Sequence, residues 1–280
     1  MHRTTAKSAR FVFACVAAIS FAPGARSAEP AEDLLNVPFT ISLGTFLLDT
    51  KTEISLDGSG GGSGTLVDFE KDLGLGDADR FRVDATWRFA PRHKVRAMYF
   101  SMNQGATRSL ERSITVGDTV YPVAAQVSST NSTEILELAY EYVFLRRADY
   151  EVAASAGIHA VDFNFRVSGN GNVGGVGGQF SSESAVAQAP LPVFGVRGLW
   201  QFSPQWYLDG QVQYFSLKYD PYDGRVTDLR IGLTRMFGKH FGIGAGWNEF
   251  ITSVKLDKER FDGELKWKYA GAQLFLTAAF

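Results

Sequence analysis

The sequence alternates between apolar and polar residues over several segments, and this alternation restricts the fold more than any other feature. In Phe81–Phe89 the odd-numbered residues are apolar, while Arg82, Asp84 and Arg88 lie on the opposite face of an extended strand. The same pattern, with charges kept to one face, recurs at 136–144, 150–160, 206–214 and 228–234. No stretch has a convincing helical period of 3.6 residues. The sequence therefore predicts an all-β chain.

The N-terminal region has the pattern of a secretory signal peptide. Basic residues precede an apolar run from Phe11 to Ala22, and small residues follow it. We expect a signal peptide at 1–27, a short periplasmic segment at 28–36 and a β-barrel at 37–280. No later segment has the roughly 20 apolar residues that a membrane-spanning helix needs.

Charge and cysteine content exclude several functions for the mature chain. Residues 1–27 contain Arg3, Lys7, Arg10 and Arg26 but no acidic residue, and the whole chain has 28 basic and 30 acidic residues. The mature protein is therefore acidic, and we do not expect a nucleic-acid partner. The single cysteine, Cys15, lies in the signal segment, so disulfides and cysteine metal sites are not expected. We expect no cofactor and no metal.

The connections between strands alternate in length. Short ones lie at 90–93, 146–149, 203–205 and 238–240, and longer ones lie at 58–64, near 117–118, at 169–184, 220–224 and 258–263. This count predicts about ten strands, with eight or twelve as alternatives. Short turns at one end and long loops at the other are typical of an up-and-down transmembrane β-barrel.

Aromatic residues cluster beside the short turns. The cluster comprises Trp87, Phe89, Tyr142, Phe144, Tyr150, Trp200, Phe202, Trp206, Phe237 and Phe241. Such a ring is typical of a membrane interface. A soluble, lipocalin-like barrel is the alternative, but it would place apolar residues inside and charges outside. The ring therefore favours a barrel embedded in a membrane.

The C-terminal strand carries a recognisable pattern. Tyr269, Gly271, Leu274, Leu276 and the terminal Phe280 resemble the insertion signal of bacterial outer-membrane barrels. This resemblance implies that the outer-membrane barrel assembly machinery reads the strand.

Residues 37–280 as a whole resemble the OmpA/OmpW-like superfamily of small bacterial outer-membrane β-barrel proteins, which is mainly eight-stranded. The segment Asp68–Leu75 resembles one in uncharacterised barrels of this type. From the pattern and the resemblance together we expect a monomer in the bacterial outer membrane, in contact with its lipids.

The charged face of the strands must point into the barrel, because Arg or Lys facing the middle of a bilayer costs about 2–4 kcal/mol. A two-residue turn at 117–118 places Arg96 opposite Ala139, with Glu137 and Glu141 diagonal to it. Matching inward faces then place His159 opposite Glu137. Similar reasoning predicts that Arg88 faces Arg96. The predicted lumen charge network is Arg88, Arg96, Glu137, Glu141 and His159.

Three functions remain open from the sequence. The first is a barrel with a charge-filled lumen and long extracellular loops, in a structural or surface-interaction role. The second is a narrow channel for small solutes. The third is an outer-membrane hydrolase using Ser155, His159 and a Glu. Residues four apart on one strand lie about 13 Å from each other, too far for a Ser–His pair, so we expect no enzyme.

Overall fold

The computed structural model describes residues 33–56, 64–76, 78–116, 118–173, 176–219, 222–258 and 261–280. The expected signal peptide and residues 28–32 of the expected periplasmic segment lie outside the described residues. Within these ranges, no helix is long and apolar enough to cross a membrane. The elements are β1 (Phe39–Leu56), β2 (Val67–Asp68), α1 (Phe69–Asp72), β3 (Ala78–Ala90), β4 (His93–Ser109), β5 (Ile114–Val116), β6 (Thr119–Tyr121), β7 (Gln126–Arg146), β8 (Tyr150–Val173), β9 (Val176–Ser203), β10 (Trp206–Tyr219), β11 (Tyr222–Phe237), β12 (Phe241–Lys258) and β13 (Phe261–Ala279).

Ten long strands form a closed antiparallel barrel, while β2, β5 and β6 lie outside its wall. Each wall strand pairs with its neighbours in the chain, and β1 closes onto β13 from Thr40↔Ala279 to Leu56↔Gly263. Closure satisfies the backbone hydrogen-bonding groups on both edges of a strand, as a bilayer requires. The predicted all-β, ten-stranded barrel is confirmed. The short turns, the start of β1 and the end of β13 lie at one end of the barrel, which we call the lower end. The sequence places this end in the periplasm.

Exposed apolar side chains on the outer wall form a continuous belt, which we call the apolar band. On β8 it runs from Tyr150 to Ala160, and on β7 from Phe144 to Leu136. About ten residues per strand is the length that a tilted transmembrane strand needs. Immediately above the band, the outward side chains become polar at Ser101, Glu134, Asp162, Ser216, Thr227, Glu249 and Lys268. The wall strands therefore cross the membrane in their lower parts and continue beyond it.

Three of the predicted long loops are instead closed by paired strands. The ladders continue to the residues beside each connection, at Val173↔Val176, Tyr219↔Tyr222 and Lys258↔Phe261. The segment 169–184 lies in the β8–β9 hairpin, where Gly169 pairs with Phe180. Glycine weakens a strand by only about 0.5–1 kcal/mol, so it does not end a ladder whose partner strand continues in register. The expectation of a long loop at 169–184 was wrong.

The β8–β9 hairpin separates from its neighbour above the membrane. The β9–β10 ladder ends at Phe194↔Tyr214, whereas β9 stays paired with β8 up to Val176. Pro190 and Pro192 follow this point on the way up β9, and proline has no N–H to donate to a ladder. The hairpin therefore extends upwards from the barrel attached through β8.

Candidate functional site

The five residues of the predicted lumen network all point into the barrel. The observed register has Arg96↔Ala139, as the turn at 117–118 predicts, and Glu137↔His159, as the matching of inward faces predicts. Arg96 Nη2 lies 2.5 Å from Glu137 Oε1, and its Nε lies 3.1 Å from Glu141 Oε1. His159 Nε2 lies 3.4 Å from Glu137 Oε2. Arg96 thus joins two carboxylates of β7, and His159 borders one of them.

Arg88 has a different neighbour from the one predicted. The register places Arg88 opposite Lys94, and Thr86 lies opposite Arg96. A β-bulge between Arg88 and Ala90 shifts the pairing beside the turn, and such an extra residue has no signal in the alternation. Arg88 Nη2 donates instead to Glu151 Oε2 over 2.8 Å.

Lys94 and Glu151 are parts of the network that the sequence reasoning missed. Lys94 Nζ lies 3.0 Å from Glu141 Oε2 and 2.8 Å from Glu151 Oε1, so it links the Arg96 group to the Arg88 group. The signal was available, because Lys94 precedes Arg96 by two residues and therefore shares its inward face.

A second cluster joins β3 to β11 and β12 across the lumen. Arg82 holds both carboxylate oxygens of Asp84, at 2.8 and 2.9 Å, and Arg230 Nη1 donates to Asp84 Oδ1 over 2.9 Å. Arg82 Nη1 also donates to Asn248 Oδ1 over 2.7 Å. Bidentate pairs of this kind fix both side chains in one geometry.

Two glutamines connect these clusters across the barrel. Gln213 Nε2 donates to Glu137 Oε1 over 2.7 Å, while Gln211 Nε2 donates to Gln213 Oε1 and to Asp228 Oδ2. Asn248 Nδ2 in turn donates to Asp228 Oδ1 over 2.6 Å. A continuous polar network therefore runs from β7 to β12.

We call this network the charge layer. Among the described residues, its basic and acidic members are equal in number: Arg82, Arg88, Lys94, Arg96, Arg197 and Arg230 against Asp84, Glu137, Glu141, Glu151, Asp209 and Asp228. Buried charges require such pairing, because removing one partner leaves the other desolvated and uncompensated.

The lower mouth of the barrel is closed by the chain ahead of β1. Leu35 and Val37 are buried, and Val37 packs with Tyr207, Met236 and Ala279. Arg146, beside the lower turn after β7, donates to the carbonyl oxygen of Leu35 over 3.1 Å. Residues 33–37 therefore cover the charge layer from below.

The upper part of the lumen is filled by residues 64–76, 110–116 and 118–125, which we call the upper plug. Phe69, Leu73 and Leu75 are completely buried in it. Phe69 stacks on Phe165 of β8 with ring centroids 4.1 Å apart. Burying one such side chain stabilises the fold by about 1.5–3 kcal/mol. The apolar residues of the Asp68–Leu75 segment thus fill the barrel.

The β5–β6 hairpin forms the other half of the upper plug. The buried side chains of Ile114, Val116 and Tyr121 belong to the same apolar core as Phe69. Thr65 and Thr115 join the two halves, since Thr65 N–H donates to Thr115 O and Thr115 N–H donates to Thr65 Oγ1, each over 3.0 Å. The plug is therefore one packed body.

An ion pair outside the membrane also ties the halves together. Arg112 Nε donates to Asp72 Oδ1 over 2.9 Å. Burial alone raises the pKa of Asp72, but hydrogen bonds from Arg112 and from the backbone N–H of Asp68 outweigh it, so this pKa lies below its ordinary value. The hydrogen bond to Asp72 raises the pKa of Arg112. The charged pair is therefore the favoured state.

The residues of the C-terminal pattern lie on both faces of β13. Leu274, Leu276 and Phe280 are more than half exposed on the outer wall. Tyr269 and Gly271 point inwards. Tyr269, whose ring stacks on those of Phe100 and Phe250, donates its hydroxyl hydrogen to Asn248 Oδ1 over 3.0 Å and thereby contacts the charge layer.

No arrangement of three or more His, Cys, Asp or Glu residues suited to a metal ion occurs in the described part of the chain. The charge layer instead consists of paired ions and amides, an arrangement that rigidifies a lumen.

No family model and no curated protein matches this sequence. Among solved structures, the chain is similar to the outer membrane protease OmpT from Escherichia coli, with a TM-score of 0.55, 13% identity and coverage of 86% of this chain and 96% of that chain. Weaker similarity links it to Ail, the attachment invasion locus protein of Yersinia pestis, with a TM-score of 0.32, 10% identity and coverage of 85% and 97%. It is also similar to the P. putida toluene transporter TodX, with a TM-score of 0.37, 9% identity and coverage of 87% and 90%.

The similarity to OmpT supports the fold of a small outer-membrane barrel. Together with the closed wall and the apolar band, it defines the class: this chain is a transmembrane β-barrel protein of the bacterial outer membrane, and membrane lipids surround its wall. The predicted class and location are confirmed.

Proposed function

We propose that the protein is a closed barrel with a structural or surface-interaction role, and that its upper strands present a binding surface outside the cell. The observation that carries this proposal is the filling of the lumen at three levels. Residues 33–37, the charge layer and the upper plug succeed one another along the barrel axis.

The proposed surface consists of strands rather than the long loops expected from the sequence. The β8–β9 hairpin extends above the point where β9 leaves β10, and it is the part of the described wall that projects most freely. The long connections that remain, 57–77 and 110–125, contribute their described parts to the upper plug. A partner would therefore meet paired strands at the surface.

Single-channel conductance of the refolded full chain in a planar bilayer tests the proposal. A barrel filled at three levels should give no reproducible current steps. A bilayer without the protein is the control. Reproducible steps that require the protein and that change on Arg96→Ala substitution would overturn the closed-barrel proposal in favour of transport.

A narrow channel for small solutes is the second candidate, and one observation favours it. A cavity of about 70 Å³ lies between the charge layer and residues 33–37, lined in part by Arg88, Lys94, Glu151 and Arg197. That volume accommodates a few water molecules. Conduction would require the ion pairs of Arg96 above the cavity to separate, so the same conductance experiment distinguishes the two candidates.

Our proposal includes no catalytic step. Ser155 pairs with Glu141 and His159 pairs with Glu137, so the two residues stand at different levels of β8. Neither ring nitrogen of His159 makes a hydrogen bond within the described residues. This geometry supports a packing role for His159, whose ring stacks on Phe250.

We also propose a monomer whose last strand is read by the outer-membrane barrel assembly machinery. The exposed Leu274, Leu276 and Phe280 form an apolar ridge that ends at the C-terminus, which supports such recognition. This part of the proposal is tested with Phe280 in the Discussion.

A further inference from the structure

A groove of about 550 Å³ runs along the outer wall across β8, β9, β10 and β11, at the lower part of the apolar band. Its apolar lining comprises Tyr150, Val152, Trp200, Leu208 and Ile231. The lower turns are near, so the groove opens to the bilayer leaflet at the lower end of the barrel.

Two paired glycines create the groove. Gly198 and Gly210 lie opposite each other, and the same row continues to Val152 on β8 and Ile231 on β11. Because glycine has no side chain, the outer surface at the centre of this row is recessed relative to Val152 and Ile231. The atom nearest to a Cβ atom added at Gly210 would be Arg230 O, 3.8 Å away. The packing of the wall therefore does not require glycine at this position.

A cation stands at the lower edge of the groove. Arg235 points outwards on β11, two positions below Leu233 and paired with Trp206. Its guanidinium carbon lies 5.4 Å from the Trp206 ring centroid and 4.8 Å from that of Phe237, which holds it at the membrane interface. Asp149 lines the opposite edge, beside β8, three strands or about 14 Å away. An anionic group is therefore attracted to the Arg235 side.

From these observations we propose that the groove is a binding site for a phospholipid of the lower leaflet, with an acyl chain over Gly198 and Gly210 and the phosphate on Arg235. The position of the groove within the apolar band limits its occupants to membrane components. A guanidinium fits a phosphate with two parallel hydrogen bonds. A second copy of the chain would offer Arg235 at most Asp149 at the opposite edge of the groove, because the outward residues of the band in the described strands include no carboxylate.

The test is native mass spectrometry of the refolded full chain in detergent, with phosphatidylglycerol added at increasing concentration. Gly210→Leu fills the groove and Arg235→Gln removes the charge. Ala245→Leu, at an exposed outward position of the band on β12, is the matched control. Heat-dependent gel mobility establishes that each variant has folded.

We expect wild type and Ala245→Leu to retain one phosphatidylglycerol, and Arg235→Gln to bind it about tenfold more weakly, the effect of losing a charged hydrogen bond. Gly210→Leu should lose the bound lipid. Diacylglycerol with the same acyl chains lacks the phosphate, so its affinity for wild type should be as low as that of phosphatidylglycerol for Arg235→Gln. Equal lipid retention by wild type and Gly210→Leu would overturn the proposal. A wild-type dimer that becomes monomeric on Gly210→Leu substitution would instead assign the groove to a second copy.

Discussion

Arg96 on β4 and Glu137 on β7 form an ion pair, with Nη2 and Oε1 2.5 Å apart, although neither side chain is more than 1% exposed. The next carboxylate along β7, Glu141, lies on the other side of the same guanidinium. Arg96 is therefore the cation that both β7 carboxylates share, and its loss would remove one partner from Glu141, which Lys94 also contacts, and the paired guanidinium from Glu137.

We predict that Arg96→Ala lowers the free energy of unfolding by about 3–5 kcal/mol, the usual effect of breaking a buried ion pair. Arg108→Ala is the control, since the Arg108 side chain is 35% exposed and pairs with the exposed Glu111. Such a surface pair contributes only about 0–1 kcal/mol. Urea denaturation of the refolded variants measures both effects, and equal losses would contradict a stabilising charge layer.

The closed ladder predicts heat-modifiable mobility. The refolded protein should migrate faster on a denaturing gel when it is left unboiled, because an intact barrel binds less detergent and stays compact. The boiled sample of the same protein serves as the control. Identical mobility of the two samples after complete refolding would argue against a stable barrel.

The orientation of the barrel is testable by cysteine labelling, because Cys15 is the single cysteine of the sequence and lies within the expected signal peptide. We predict that Gln179→Cys, in the β8–β9 hairpin, reacts with a membrane-impermeant maleimide on intact cells. Asp149→Cys, beside a lower turn, should react only after the outer membrane is disrupted. The reverse pattern would mean that the short turns face outwards.

Phe280 tests the proposed reading of the last strand. We predict that Phe280→Ser lowers the amount of folded protein in the outer membrane several-fold in cells but leaves refolding in detergent unchanged. Phe241→Ser is the matched control, because Phe241 is also exposed on the outer wall at the lower end. Equal losses for both variants would indicate a general need for interfacial aromatic residues.

The Asp72–Arg112 pair predicts a pH-dependent upper plug. The pKa of Asp72 is lowered on folding, so its charged form contributes stability above the unfolded pKa of about 3.9. That contribution is lost as the pH falls through the lower folded pKa. Hydrogen exchange at 110–116, corrected for intrinsic rates, should show protection decreasing on acidification.

Asp72→Asn isolates this effect. The variant should have weaker protection at neutral pH and a smaller change on acidification than wild type. Burial raises the pKa of Glu70, so protonation of Glu70 acts in the opposite direction and remains in both proteins. An unchanged pH response in Asp72→Asn would show that another group controls the plug.

The sequence predicts the strand register well wherever a turn is recognisable. The turn at 117–118 lies between Val116 and Thr119, which pair, and the same register continues into the wall at Ser109↔Gln126. Arg96 was therefore placed correctly against Ala139. Arg88 was misplaced because a bulge adds a residue without disturbing the alternation of polar and apolar positions.

The upper plug was not predicted, and its residues explain why. Phe69, Leu73 and Leu75 lie in a segment of the 57–77 connection that is too short to establish a period, so their burial depends on contacts with strands distant in sequence, such as Phe165 of β8. The sequence indicates only that these residues are apolar within an otherwise polar connection. Which way such a connection folds is decided by the empty space that the barrel wall encloses.

Where wall strands continue above the apolar band, their apolar residues move from the outward to the inward face. The pairing of β8 with β7 keeps one register across this level, from Leu136↔Ala160 to Val127↔Gly169. On β8 the outward residues are apolar up to Ala160, whereas above it the inward Phe163, Phe165 and Val167 are the apolar ones. Each such strand is thus a membrane strand below and a strand of a water-soluble protein above. The level of the membrane surface is therefore visible in the sequence as the point where the apolar residues of the alternation move from outward to inward positions.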